Sequence, residues 1–258
     1  RILSASVGSF DHFSEGFTVI ELMQQQWMAA PGAVPGCPPG LEYLTQLDQV
    51  VVKQIVELIE ALTGWETNNK YRIFNSVGQQ CFYAAEETPL CMRLCCGPGR
   101  GFTIHITDNY GQEVLRVIRQ FKCCAGCCWC ANCDCCAFEV EVQAPVGTVI
   151  GYVRQQQSCW KPKYTIMDGA REVMAVINGP CCPCGCVDIN FPVMSADESQ
   201  EIGMITKQWT GLIKETFTDA DTFSVRFPQD MDVKLKGTMI GALFLIDFMY
   251  FEQQNNNH

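Results

Sequence analysis

Hydrophobic and polar residues alternate along much of the chain between residues 70 and 206, in short runs separated by turn-forming residues. Four pairs of alternating runs flank turns at 75–78 (NSVG), 108–111 (DNYG), 168–169 (DG) and 195–199 (SADES). Two-residue alternation on both sides of a Gly, Asn or Asp turn is typical of β-hairpins. Because no long helix separates these hairpins, they predict a mainly β fold, a large antiparallel sheet that closes into a barrel.

The chain before the first hairpin does not alternate. Residues 29–40 (AAPGAVPGCPPG) are rich in Pro and Gly, which is typical of a linker. Residues 41–64 repeat apolar residues at mixed spacings, so that helix and strand are alternatives there. We therefore expect a tail over about the first forty residues and a polar tail over 253–258.

The C-terminal segment 237–251 (GTMIGALFLIDFMYF) is apolar on every face of a helix and contains one acid, Asp247. Such a helix is either a core helix or a membrane span. At about 1.5 Å per residue it reaches roughly 22 Å, short of the hydrocarbon core of about 30 Å, and an acid is costly in lipid. We expect a helix buried in protein, with a span as the alternative. Its characteristic residues are Met239, Ile240, Leu243, Phe244, Ile246, Asp247 and Phe248.

Charge and composition exclude some functions. The 258 residues carry a net charge of −10, which argues against a nucleic-acid face and against adhesion to an anionic membrane by charge alone. Residues 1–30 show no basic start followed by an apolar run and a cleavage site, so we expect no signal peptide. The 18 cysteines are then expected in a reducing compartment, where a disulfide framework is unusual.

Residues 123–136 (CCAGCCWCANCDCC) hold cysteine at a density that core packing does not require. Small and apolar residues between exposed thiols suit a loop lying against a membrane, where cysteines are acylated reversibly. Stable attachment needs more than one acyl chain, and a cluster supplies several. Zinc is the alternative, because Cys124, Cys127, Cys130 and Cys133 have knuckle spacing and 181–186 (CCPCGC) could add a second pair. So many cysteines produce every spacing, which weakens the zinc signal.

Several stretches taken together resemble the phospholipid scramblases. They follow the order of that family and cover about residues 37 to 252, whereas residues 1–36 do not match. The stretches are 37–49 (CPPGLEYLTQLDQ), 61–71 (ALTGWETNNKY), 95–103 (CCGPGRGFT), 108–114 (DNYGQEV), 143–153 (QAPVGTVIGYV), 207–237 (KQWTGLIKETFTDADTFSVRFPQDMDVKLKG) and 239–252 (MIGALFLIDFMYFE).

The resemblance implies a tubby-like fold, a closed antiparallel barrel of about 12 strands around a hydrophobic C-terminal helix. It implies movement of phospholipids between leaflets when calcium rises, without ATP and without covalent chemistry. The sequence shows no Walker loop or metalloprotease helix, and its histidines (His12, His105 and His258) are dispersed. The implied location is the cytoplasmic side of the plasma membrane, or the nucleus when the protein is not acylated. Phospholipids, membranes and other proteins are the implied partners.

The resemblance also assigns the cysteine segment, since the family carries S-palmitoylated cysteines at this place. This chain has other residues between its cysteines, unlike the tighter Cys-Pro run of the family. The residues we assign to palmitoylation are Cys127, Cys128, Cys130, Cys133, Cys135 and Cys136.

Residues 219–230 (DADTFSVRFPQD) resemble the calcium segment of the family. The ligand positions of a twelve-residue loop fall on Asp219, Asp221, Phe223, Val225, Phe227 and Asp230. Ser224 stands where an EF-hand has Gly, and Asp230 is shorter than the usual Glu, so we expect weak affinity, about 10⁻⁵ to 10⁻³ M. The same residues alternate like a half-buried strand. A membrane-tethered or nuclear adaptor without scrambling activity, and a zinc-stabilised interaction module, are the alternative functions.

Overall fold

The computed structural model describes residues 27–55, 68–181, 187–209 and 221–252. Within these ranges, antiparallel strands pair in sequence order and close into a barrel through β1 and β12, where Val52 lies opposite Phe223. The strands are β1 (Gln49–Ile55), β2 (Lys70–Asn75), β3 (Gln80–Glu87), β4 (Phe102–Thr107), β5 (Glu113–Arg119), β6 (Glu139–Gln143), β7 (Val149–Gln155), β8 (Lys163–Asp168), β9 (Val173–Asn178), β10 (Ile189–Ser195), β11 (Glu201–Gln208) and β12 (Thr222–Arg226).

Three α-helices accompany the strands in the described ranges: α1 (Glu42–Thr45), α2 (Leu90–Cys96) and α3 (Val233–Tyr250). Two short 3₁₀ helices are also present. One follows α2 at Gly97–Gly99, and the other lies within the cysteine segment at Cys128–Cys130. The segment after residue 41, for which helix and strand were alternatives, contains both, because α1 is followed by β1. Both pack inward, since Leu44, Val50 and Val52 are buried. Residues 56–64 of that segment lie outside the described ranges.

Alternating burial confirms the predicted hairpins. In β4 the side chains of Phe102, Ile104 and Ile106 are buried, and the residues between them are half-buried on the outer face. All four predicted pairs are present, as β2–β3, β4–β5, β8–β9 and β10–β11. The predicted tail begins to contact the barrel before residue 37, because the Met28 N–H donates to the Gln80 carbonyl at 2.8 Å.

Helix α3 fills the barrel, which confirms the prediction of a core helix. It begins at Asp232, whose carboxylate accepts hydrogen bonds from the N–H groups of Lys234 and Leu235. Every residue from 236 to 248 is buried. The helix comes so close to β6 that a Cβ on Gly241 would lie 2.5 Å from Val142 Cγ2. None of the described helices is long and apolar enough to cross a membrane.

Two charged side chains of α3 are buried with hydrogen-bond partners. Lys236 Nζ donates to the carbonyls of Leu44, Leu47 and Gln229 at 2.9, 2.8 and 2.7 Å. The Tyr71 hydroxyl donates to Asp247 Oδ2 at 3.0 Å, as expected for an acid enclosed in protein. Burial raises the pKa of Asp247 well above its usual range, and the nearby acids add to this effect.

Successive connections between strands lie at alternate ends of the barrel. The connections at one end are shorter than those at the other. Short turns join strands at the end where α3 begins, at 76–79, 108–112, 144–148, 169–172 and 196–200. The opposite end, where α3 finishes, carries the longer connections. We call it the long-loop end and define it by the described parts of 88–101, 120–138, 156–162, 179–188 and 209–221. Contacts place the end of α3 there, because Phe248 stacks on Phe102 at 4.1 Å and Glu252 pairs with Arg100.

Candidate functional site

The cysteine segment forms a compact series of turns at the long-loop end. Successive backbone N–H groups donate three residues back, from Cys130 to Cys127, from Cys133 to Cys130, and from Cys136 to Cys133. Lys122 closes the base of the segment, because its Nζ donates to the carbonyls of Asp134 and Ala137. The backbone is therefore satisfied locally while the side chains face outward.

The thiols of this segment are free and accessible. Of the six cysteines assigned to palmitoylation, Cys128 and Cys136 are partly buried and the other four are exposed. The closest sulfur atoms in adjacent pairs are 3.6 Å apart for Cys123 and Cys124 and 3.7 Å for Cys135 and Cys136. A disulfide requires about 2.05 Å. None of the described cysteines is paired in a disulfide.

The thiols differ in acidity. The backbone N–H groups of Trp129 and Cys130 donate to the sulfur of Cys127, which lowers the pKa of this thiol. In contrast, a hydrogen bond with Cys135 raises the pKa of Cys136 to about 11. Because the thiolate is the nucleophile, Cys127 has the local environment best suited to react with an electrophile.

The segment packs on the connection between β7 and β8. The Ser158 N–H donates to the Cys128 carbonyl at 3.1 Å, and Gln157 Nε2 donates to the Trp129 carbonyl at 2.9 Å. The rings of Trp129 and Trp160 meet edge to face with centroids 6.3 Å apart, although both remain largely exposed. Free thiols and exposed indoles therefore share one surface. An indole of this kind suits the boundary between water and lipid headgroups.

The zinc alternative has no assembled site in the part of the chain that the structure describes. No group of three or more His, Cys, Asp or Glu side chains converges there in a way that could hold a metal ion. Residues 182–186, which the alternative needs for a second cysteine pair, lie outside the described ranges.

The residues of the predicted calcium segment do not form one loop. Asp219 lies outside the described ranges, and residues 222–226 form β12. The 5 residues of β12 separate Asp221 from Asp230 by about 17 Å at roughly 3.3 Å per residue. These two acids consequently cannot bind the same ion.

The aromatic and aliphatic positions of the same segment are part of the barrel. Phe223, Val225 and Phe227 are buried. The backbone of β12 is paired with β1 on one side and with β11 on the other. The strand interpretation is confirmed for these positions, whereas calcium binding itself stays a prediction that now concerns the acids before β12.

Asp221 lies at the long-loop end and already has a cationic partner. Lys207 Nζ is 2.9 Å from Asp221 Oδ1, and both side chains are mostly buried. The same ammonium lies 4.2 Å from the centroid of the Phe251 ring, at the end of α3. A calcium ion at Asp221 would have to compete with Lys207.

Comparison with known proteins agrees with the residue patterns. The family model described as Scramblase matches residues 28–253. Phospholipid scramblase 1 of Homo sapiens is 53% identical over 227 residues, which cover 88% of this chain and 70% of that protein. Phospholipid scramblase 2 of Bos taurus is 52% identical over 230 residues, which cover 89% of this chain and 77% of that protein. The chain belongs to the scramblase family.

Two further comparisons differ in how closely the protein resembles this chain. Phospholipid scramblase family member 5 of Homo sapiens is 46% identical over 216 residues, which cover 83% of this scramblase-family chain and 78% of that protein. An X-ray structure of an Arabidopsis thaliana protein aligns with 82% of this chain and 99% of that chain, with a TM-score of 0.38 and 8% identity. That last likeness is too distant to support any inference.

A buried ionic cluster at the end of α3 in this scramblase-family chain was not predicted. Arg100 donates to Glu86 Oε1 at 2.8 Å and to Glu252 Oε2 at 2.9 Å, joining the connection after β3 to the end of the helix. Burial raises the pKa of Glu86, but the hydrogen bonds and charge of Arg100 outweigh it and leave that pKa below its usual value. These residues lie far apart in sequence and follow no motif, so no local pattern indicated them.

Arg119 connects this cluster to the cysteine segment. Its Nε donates to the Arg100 carbonyl at 2.9 Å, and its guanidinium lies 4.6 Å from the centroid of the Phe138 ring, directly after the cysteines. Burial lowers the pKa of Arg119 to about 9, so that the side chain is still a cation at neutral pH. The connection holding α2 and the one holding the cysteines therefore share a fixed base.

Proposed function

We propose that this chain moves phospholipids between membrane leaflets in response to calcium, without ATP, and that acylated cysteines hold it on the cytoplasmic side of the plasma membrane. The observation that carries the proposal is the match to the scramblase family over residues 28–253. The relatives are named phospholipid scramblases, and the identity to them extends over most of this chain.

Exposed, reduced thiols beside exposed indoles support membrane attachment through the cysteine segment. One acyl chain binds a membrane only marginally, so two or more of the six assigned cysteines would be needed. Because the pKa of Cys127 is lowered and its thiol is exposed, it is the first residue expected to be acylated. The net charge of −10 opposes attachment to anionic lipid by charge, which leaves acyl chains and apolar side chains as the anchoring groups.

The acids before β12 support a calcium response. Asp219 and Asp221 are two residues apart, and Asp221 lies at the long-loop end, on the side of the barrel that carries the thiols. We expect weak affinity, because few carboxylates are available and Lys207 competes for Asp221. Replacing both acids with Ala is expected to abolish the response; because this change leaves the mostly buried Lys207 without its partner Asp221, a thermal melt verifies that the variant is folded. Isothermal calorimetry showing equal calcium binding by this variant and the parent would remove the assignment.

One observation favours the second candidate, a membrane-tethered adaptor that binds lipid or protein without scrambling. Helix α3 occupies the interior of the barrel, and every residue from 236 to 248 is buried. The interior therefore offers no passage for a lipid headgroup. Scrambling by this fold would have to occur at the outer surface, where the long-loop end meets the bilayer.

Reconstitution separates the two candidates. The purified chain is placed in vesicles that carry a fluorescent phospholipid in both leaflets, and a reductant added outside bleaches only the outer leaflet. Loss of about half of the signal means no scrambling, whereas near-complete loss means that lipids exchange. We expect calcium-dependent, near-complete loss with the parent and half loss with the Asp219→Ala, Asp221→Ala variant. Half loss with the parent at every calcium concentration would favour the adaptor.

A further inference from the structure

Helix α2 presents an exposed surface made of leucine and cysteine at the long-loop end. At about 100° per residue, Leu90, Leu94, Cys91 and Cys95 cover one continuous arc of roughly 140° around the helix. All four are exposed, and Leu94 is 73% exposed. Arg93, on the other side of the helix, is buried. The arc therefore faces away from the barrel.

This surface lies at the same end of the barrel as the cysteine segment. Arg119 holds the connection that contains α2 and the connection that contains the cysteines on one base. Apart from Cys37 and Cys81, all described cysteines lie at the long-loop end. Large apolar side chains are exposed in each of its connections, namely Leu90, Leu94, Phe121, Trp129, Trp160, Val187 and Trp209.

The opposite end has a different character. Its turns are closed by polar side chains, as where the N–H groups of Tyr110 and Gln112 donate to Asp108 Oδ1. Large apolar side chains are exposed there as well, with Val77 and Tyr110 both 77% exposed, but these turns carry no cysteine. In the described part of the chain, only the long-loop end combines exposed apolar side chains with exposed thiols.

We propose that α2 is a second S-acylation site and that the long-loop end as a whole is the surface that rests on the membrane. Cys91 and Cys95 are the acylated residues, and Leu90 and Leu94 insert beside their acyl chains. A lipid surface is the occupant that fits, because the thiols accept acyl chains and the neighbouring leucines and indoles suit the boundary between water and hydrocarbon. The proposal deepens the proposed function and rests on it for membrane attachment.

The chemical step is a thioester exchange with a long-chain acyl-coenzyme A. The cysteine sulfur attacks the carbonyl carbon of the donor and forms the new carbon–sulfur bond. The bond from that carbon to the sulfur of coenzyme A breaks, and the proton lost by the cysteine is recovered on the released thiol. The exchange needs no oxidant or reductant, and the exposed sulfurs of Cys91 and Cys95 are open to the donor.

Acyl-exchange mass tagging of the full chain expressed in cultured eukaryotic cells tests the modification. One variant replaces the six assigned cysteines of the cysteine segment with Ala, a second carries Cys91→Ala and Cys95→Ala, and a third combines all eight changes. The expected result is that the six-cysteine variant retains tags that are lost in the combined variant. Cys37→Ala, at the other end of the barrel, is the matched control and should keep the parent pattern.

One outcome would overturn acylation of α2 alone, and another would overturn membrane attachment by acylation altogether. If the six-cysteine variant carries no tag while the parent does, α2 is not acylated, and the proposed attachment through the cysteine segment stands. If the parent itself carries no tag, attachment by acylation fails altogether. The three variants replace thiols that are exposed or, for Cys128 and Cys136, partly buried, so unfolding is not expected, and a thermal melt of each verifies this.

Vesicle flotation of the acylated protein tests whether the long-loop end is the surface that rests on the membrane. Leu94→Asp is compared with Val77→Asp, because the two side chains are 73% and 77% exposed at opposite ends of the barrel. Loss of a leucine from the membrane boundary is expected to lower the partition coefficient by roughly tenfold or more, whereas the Val77 variant should float like the parent. Equal flotation of both variants would overturn the docking surface, and a change of oligomeric state in the Leu94 variant would point to a second copy as the occupant.

Discussion

A charge placed in the middle of α3 should unfold the whole domain. Leu243 lies in the centre of the helix and its side chain is 0% exposed within the barrel core. We compare Leu243→Arg with the milder Leu243→Ala. The matched control is Leu94→Arg, which makes the same change at an exposed leucine of α2.

The expected magnitudes follow from burial. Truncating a fully buried leucine to alanine costs about 2–5 kcal/mol, since it removes the transfer free energy and leaves a cavity. A domain of this kind is stable by roughly 5–15 kcal/mol, so Leu243→Ala should remain folded with a lower melting temperature. Leu243→Arg adds an unpaired cation inside an apolar core, which costs several kcal/mol more and should leave no folded population. Leu94→Arg should change the free energy of unfolding by less than about 0.5 kcal/mol.

The free energy of unfolding of all three variants is measured by urea titration without detergent, with far-ultraviolet circular dichroism as the signal. A Leu243→Arg protein that unfolds cooperatively at the parent midpoint would refute the role of α3 as the barrel core. Truncation before Lys236 provides an independent test, because the barrel should then lose its interior and fail to unfold cooperatively. A truncated chain that still gave a sharp transition would contradict the core role of the helix.

Two further predictions concern individual contacts of α3. The folded-state pKa of Asp247 is raised, so its contribution to stability is complete below its unfolded pKa of about 3.9 and is lost as pH rises toward the folded value. Asp247→Asn, which can still accept from Tyr71, should therefore gain stability over the parent as pH rises from about 5 to 8; equal pH dependence in urea titrations would contradict this. Gly241→Ala should lose roughly 1–3 kcal/mol of unfolding free energy because its Cβ would lie 2.5 Å from Val142 Cγ2. Adding Val142→Ala should recover part of that loss, and a double variant less stable than the sum of both changes would show that the contact is not the cause.

Local pattern was enough to predict the hairpins and the buried helix. Alternation flanking a turn constrains the two strands beside it, because a residue facing the core recurs every second position regardless of what lies beyond the hairpin. The segment 237–251 has no polar face, so any fold must enclose it. Its length and Asp247 then favoured a protein interior over lipid, and the hydrogen bond from Tyr71 to Asp247 agrees. Each of these conclusions needs only residues close together in the chain.

The calcium segment shows where local pattern was insufficient. Spacing alone allowed Asp221 and Asp230 to share an ion, since twelve residues can fold into a loop. Pairing of β12 with both β1 and β11 holds the residues between them extended, so the acids lie at opposite ends of the barrel. The choice between loop and strand depended on β11 and on β1, which is more than a hundred residues away in sequence, and the segment itself contains neither strand.

The sequence by itself determined that this chain is a barrel-forming member of the scramblase family with a core helix and a dense group of thiols. Only the tertiary structure decided which surfaces act together. Closing the barrel brings Glu86, Arg100 and Glu252 into one buried cluster, and Arg119 then contacts both the connection that contains α2, at the Arg100 carbonyl, and Phe138 directly after the cysteines. Antiparallel pairing in sequence order sends alternate connections to the same end, so thiols from four separate connections meet on one surface. Closure of the barrel sets that arrangement, and the residues within any single connection carry no information about it.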